Sequence, residues 1–183
     1  MKKTVLTFGL ISGVMISVLM GGSLLVANRI GNVHSMVLGY TMMVASFLLI
    51  YFGIRSYRDN NLGGQISFGR AFACGILIAL ITTVCYVAMW EVLYFNFMPH
   101  FMDRYFAAQI QRVQSSGLDP ATTAARVAAI QHSQQLYQNP LVNIAYTFIE
   151  PFPVGLIITL VSAAVLRRKA PVEPSPAPAV MTT

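Results

Sequence analysis

The stretch SFGRAFACGILIALITTVCYVAMWEVLYFNFM, residues 67–98, decides the fold. Between Arg70 and Glu91 it carries no charged side chain. At about 1.5 Å per helical residue that interval covers about 31 Å, enough for a hydrocarbon core of about 30 Å. Ser67 suits an N-cap, because its hydroxyl can accept from an early backbone N–H that has no helical partner. Trp90, Tyr94 and Phe95 collect at the far end, where rings with polar tips favour the membrane–water boundary. Ser67, Ala71, Gly75, Ala79 and Thr83 recur every four residues. Such a ridge of small side chains lets another helix backbone approach closely. Glu91 is the anomaly, since hydrocarbon does not tolerate an acidic group unaided.

Composition extends the same reading. Of 183 residues, 56% are hydrophobic and 10% charged, against about 25% charged in an average soluble domain. The apolar residues lie in long runs, so the length describes one bundle rather than several domains. A net charge of +6 invites thoughts of nucleic acid. The basic residues, however, stand at the ends of apolar runs, which points to membrane orientation and away from a nucleic-acid partner. Cys74 and Cys85 share the opening stretch, about 16 Å apart along a helix, too far for a disulfide. They read as small apolar packing residues.

Working outward, Lys2 and Lys3 precede an uncharged run over 5–27, about 34 Å as a helix. A secretory signal is the rival reading, but the run exceeds a normal apolar core and Leu25-Val26-Ala27 is a poor cleavage site. Gly9, Gly13, Ser17 and Gly21 make another four-residue ridge. After a short turn containing Arg29, a second span is expected over 33–54, antiparallel to the first, with Gly39, Ser46 and Gly53 on one face. Residues 55–65, rich in Asn and Gly, read as a loop carrying Arg55, Tyr57, Arg58 and Asp59. The two small-residue ridges are the best candidates for a close helix contact with each other, within or between subunits.

Past residue 98, residues 100–139 form the one sizeable segment outside the membrane. Met102, Tyr105, Phe106, Ile110 and Val113 recur at helical spacing, giving an amphipathic helix that ends near Gly117. Asp119-Pro120 and Asn139-Pro140 each pair an N-cap with proline at the first helical position, a strong start signal. The last span, 141–166, contains Pro151 and Pro153, where a kink is expected. It ends at Arg167-Arg168-Lys169, and the proline-rich 170–183 reads as a disordered tail. The expected architecture is all-α: spans over 5–27, 33–54, 68–98 and 141–166 in one domain of residues 1–169, with a helical hairpin between the third and fourth. Eight of the 12 basic residues fall on the side of the termini. That bias places both termini in the cytoplasm, the hairpin outside, and the chain in an inner membrane.

Residues 53–60, GIRSYRDN, and 63–72, GGQISFGRAF, are similar to a bacterial family of small membrane proteins called domain of unknown function 4199. The similarity continues at Tyr86, Trp90-Glu91 and 148–155, FIEPFPVG. It implies a four-helix bacterial membrane protein and carries over no catalytic residue.

Glu91 and Glu150 are the acidic groups within spanning stretches. Counted from Arg70 and Arg167 they stand about 31 Å and 25 Å along their helices, in the same outer third. Asn143, Tyr146 and Thr147 put a polar stripe on the Glu150 helix, and Arg29 and His34 could reach the cluster from the first turn. Three readings stand: structural acceptors for Tyr, Trp or Arg29; a polar cavity for a cation, proton or small solute; or catalytic groups. No nucleophile–base pair or metal-ligand spacing accompanies them, and His34, His100 and His132 form no ligand pattern. Neither cofactor nor metal is expected. Arg55, Tyr57, Arg58, Asp59 and Arg70 form a second candidate, at the inner face, where basic residues also serve topology and lipid head groups. Gly155 joins the packing residues. The plainest reading is a non-enzymatic structural or accessory membrane protein, as a homo-oligomer or with another membrane protein. Binding or transport of a small solute, proton or cation at Glu91 and Glu150 is the alternative.

Overall fold

The computed structural model describes residues 1–30, 36–98 and 100–168, with the side chains of 24–30 and Met36 left aside. Eight helices account for nearly all of this: α1 (Lys2–Ile30), α2 (Met36–Phe47), α3 (Leu49–Asn61), α4 (Phe68–Phe97), α5 (Phe101–Gln114), α6 (Pro120–Tyr137), α7 (Pro140–Ile149) and α8 (Pro151–Leu166). No strand occurs among the described residues beyond an isolated bridge of Ile66 with Arg168. Four helical stretches are long and apolar enough to cross a membrane: Lys2–Ser23, Val37–Asn61, Phe68–Phe97 and Pro140–Leu166. Their outward faces are apolar, with Val18 65%, Ile157 61% and Val165 66% exposed, as lipid contact requires. The all-α, four-span fold class is the observed one.

Two spans are built from two pieces each. Leu48 separates α2 from α3, with right-handed dihedrals (φ −58°, ψ −23°), so the pieces continue one another. Just before it, the Ser46 hydroxyl donates to the Met42 carbonyl at 2.9 Å, a back-bond that bends helices. At the other break Pro151 begins α8, as the prolines there require.

The expected loop at 55–65 is a correction. Helix α3 runs on to Asn61, and the turn proper is 62–66. Gly63 (φ +60°) and Gly64 (φ +84°) make it, in a region that favours glycine. The amides of Leu62 and Gly64 both reach back to the Arg58 carbonyl. Arg58 itself is buried: Nε donates to Asp59 Oδ1 at 2.7 Å, and a guanidinium NH donates to the Leu166 carbonyl at 3.4 Å. The asparagines signalled a turn correctly, but the Arg58–Asp59 pair holds another helical turn before it. Asn28 to Ile30 are likewise helical rather than part of the turn. The tail lies outside the described residues.

The ridges pack differently from expectation. Helix α1 lies along α4 in parallel: a Cβ on Gly9 would come within 2.9 Å of Ile81, and one on Gly13 within 2.6 Å of Cys85 Sγ. A Cβ on Gly21 would be 3.3 Å from Met89. The small ridge of α4 turns elsewhere, with Gly75 against Thr159 of α8 and Ile50 and Ile54 of α3, and Ala79 against Gly155. Two grooves facing one another would enclose little; each groove instead receives a ridge of larger side chains. Both are consumed within the chain. Ala71, Cys74, Ile78 and Ala79 of α4 are fully buried, with Phe47, Ile50 and Ile54. The cysteines are free thiols.

Candidate functional site: a cavity under the helical hairpin

At 30 residues α4 is about 45 Å long, more than a bilayer core needs. Its last turns rise to meet α5 and α6, an antiparallel pair joined through Gly117 (φ +70°) and by Gln134 Nε2 donating to Asp103 Oδ1 at 3.3 Å. Helix α6 starts where its N-cap predicts, with Asp119 accepting from the Thr122 amide at 3.0 Å. Hydrogen bonding by the Thr122 side chain first, and by its amide second, holds the Asp119 carboxyl below the usual carboxylate range. Rings attach the pair to the bundle. Trp90 Nε1 donates to the Tyr137 hydroxyl at 3.0 Å, and Trp90 meets Phe101 edge-on with centroids 5.7 Å apart. Burial pushes the Tyr137 phenol up, opposed by the hydrogen bond it accepts from Trp90.

Beneath this aromatic joint lies a cavity of about 560 Å³. Ile16, Met20 and Ser23 of α1 line one side, with Leu38, Gly39, Met42 and Met43 of α2. Tyr86 and Trp90 of α4 face Tyr146 and Thr147 of α7. The hairpin closes the top with Phe101, Met102, Tyr105 and Phe106 of α5 and Ser133 and Tyr137 of α6. Glu150, at the break between α7 and α8, is the only charged side chain in the lining among the described residues. Tyr86 OH donates to its Oε2 at 3.0 Å. The break exposes polar backbone too: Pro151 offers no N–H to the Thr147 carbonyl four residues earlier. Methionines supply Met20, Met42, Met43 and Met102, unbranched side chains that adapt to irregular shapes.

Glu91 is not in the lining. Trp90 looks into the cavity, and the next residue lies about 100° further round the helix. Glu91 Oε1 is enclosed and has no hydrogen-bond partner among the described residues. Asn143 is 1% exposed; its Oδ1 accepts from Thr147 Oγ1 at 3.2 Å while its Nδ2 has no partner among the described residues.

The profile of a family described as Protein of unknown function (DUF4199) matches residues 7–168. The chain belongs to the DUF4199 family. No curated protein and no solved structure matches it. The match takes in all four spans and the hairpin, so every lining residue of this DUF4199 member, from Ile16 to Glu150, lies within the family region.

Of the residues singled out from sequence, Glu150 and Tyr146 line the cavity, and Asn143 touches it only through Thr147. Glu91 points elsewhere, and Arg29's side chain and His34 lie outside the described residues. The inner candidate does not gather into a site. Arg58 is committed to Asp59 and α8, Arg55 Nε stands 3.7 Å from Asp59 Oδ2, Tyr57 packs on the core, and Arg70 is exposed. Sequence reading missed the roof. The 102, 105, 106 periodicity was visible, but the buried partner of that face was not.

Proposed function

We propose that this DUF4199 member is a non-enzymatic membrane protein that binds a small amphiphilic solute in the cavity under its hairpin. One observation carries the reading: a space of about 560 Å³ with one carboxylate and several phenols set in an apolar, aromatic wall. Ligand sites of about 300–1,000 Å³ share that make-up, a few polar groups in a largely hydrophobic lining. A purely structural or accessory role accounts for the ridges and the Arg58–Asp59 pair, and leaves the cavity without a purpose. The basic residues at the ends of α1, α3, α4 and α8 support a bacterial inner membrane with both termini in the cytoplasm. A fluorescent protein fused after Thr183 should therefore mature and glow; a dark fusion beside an active periplasmic reporter would reverse that orientation.

The protein carries its own reporter. It has one tryptophan, and Trp90 lines the cavity. In nanodiscs, a brominated aliphatic alcohol should quench Trp90 saturably. No described atom lies within 4 Å of a Cβ built on Gly39, which lines the cavity, so Gly39→Phe adds a ring to the wall at a position with room for its first carbon. Saturation should vanish in that variant. Quenching that rises linearly with the amount of probe in the membrane, or survives Gly39→Phe unchanged, would refute the binding site.

A further inference from the structure

The cavity wall specifies more than apolar character. Among the described residues its one charged side chain is an acid, and no Lys, Arg or His is in the lining. Around that acid stand the rings of Trp90, Phe101, Tyr105, Phe106, Tyr137 and Tyr146. Aromatic faces carry negative charge density and attract cations within about 6 Å of the ring centre, most strongly where water is excluded. A carboxylate at membrane depth ordinarily has a basic partner. Among the described residues Glu150 has a different one, the Tyr86 hydroxyl at 3.0 Å on Oε2. It forms none of the ion pairs among those residues, and it retains solvent-accessible surface.

We infer that the solute is a lipophilic organic cation, held by Glu150 and the aromatic wall together. This rests on the cavity being a binding site and adds the sign of the ligand's charge. The chemical class is a quaternary ammonium, a phosphonium or a delocalised aromatic cation. A compact metal ion would find one carboxylate and phenols where it needs several oxygen ligands. An organic cation needs one counter-charge and a large apolar contact. The methionines suit a wall that accepts more than one molecular shape.

Tetraphenylphosphonium and tetraphenylborate test this directly, being nearly the same size and shape with opposite charge. Binding to the full chain in phosphatidylcholine nanodiscs is followed by equilibrium dialysis, with empty nanodiscs subtracted for partition into lipid. The phosphonium should bind at least tenfold more tightly than the borate. Glu150→Gln, which keeps an oxygen for Tyr86 to donate to, should reduce that preference to less than threefold. Gly39→Phe should abolish saturable binding of both. Equal affinity for the two ions, or a preference that survives Glu150→Gln, overturns the inference about charge while leaving a binding cavity. Failure of both ions and of the brominated alcohol to saturate overturns the cavity reading itself.

Discussion

Gly75→Leu is expected to prevent recovery of folded protein. A Cβ at Gly75 would lie 2.7 Å from Thr159 Cγ2, 2.9 Å from Ile54 Cδ1 and 3.1 Å from Ile50 Cγ2. Those atoms belong to α8 and α3, so a leucine there must push two helices away from α4 at once. The surroundings cannot absorb it, because Ile50, Ile54, Ile78 and Phe47 are all fully buried. Overpacking a close-packed core costs typically about 1–3 kcal/mol, and more where several rigid groups must move together. Four carbons placed at a three-helix junction belong at the upper end. The control is Gly22→Leu, where no described atom lies within 4 Å of the added carbon. Size-exclusion profiles and thermal unfolding in detergent should show aggregation or a large loss of Tm for Gly75→Leu alone. Equal behaviour of the two variants would mean that α3, α4 and α8 do not meet at Gly75.

Glu91→Leu is expected to have the opposite effect and raise stability. Glu91 Oε1 is enclosed without a partner among the described residues, and leaving a buried acceptor unsatisfied costs about 1–3 kcal/mol, more if the group is charged. Leucine removes the polar oxygens and keeps much of the volume. For a chain of this size each kcal/mol corresponds to about 2–4 °C in Tm. Glu150 provides the contrast. Glu150→Leu strips the Tyr86 hydroxyl of its acceptor, so Tm should fall, because losing one member of a bonded pair strands the other. Matching falls for both glutamates would show that Glu91 is bonded after all. A gain at Glu91 would identify an acid that the protein retains at a cost in stability, outside the cavity lining.

Glu91 and Glu150 also show where sequence reasoning stops. Both were found from sequence, and at similar depth, because rise per residue converts position into height. Height says nothing about rotation, and one step along a helix turns a side chain by about 100°. Trp90 therefore enters the cavity and Glu91 does not. The glycine ridges make the same point. Four-residue spacing identified Gly9, Gly13 and Gly21, and Gly75 with Ala79, as close-contact faces. Ile81 and Cys85 were their partners on one side and Thr159 and Ile54 on the other, a choice that depends on how four helices are arranged.

What the sequence determined by itself was everything that bilayer thickness and local hydrogen bonding control. The number of spans follows from apolar length, the N-caps at Ser67, Asp119 and Asn139 from orphan backbone donors, and the α7–α8 break from Pro151. The family match rests on the same patterned residues. Tertiary structure alone decided that α5 and α6 fold back over the bundle, that Tyr137 receives the Trp90 N–H, and that a carboxylate closes the wall of an aromatic cavity. Those contacts join residues from six helices far apart in the chain. No local period encodes them, because each helix satisfies its own backbone and spacing whichever neighbour its faces meet.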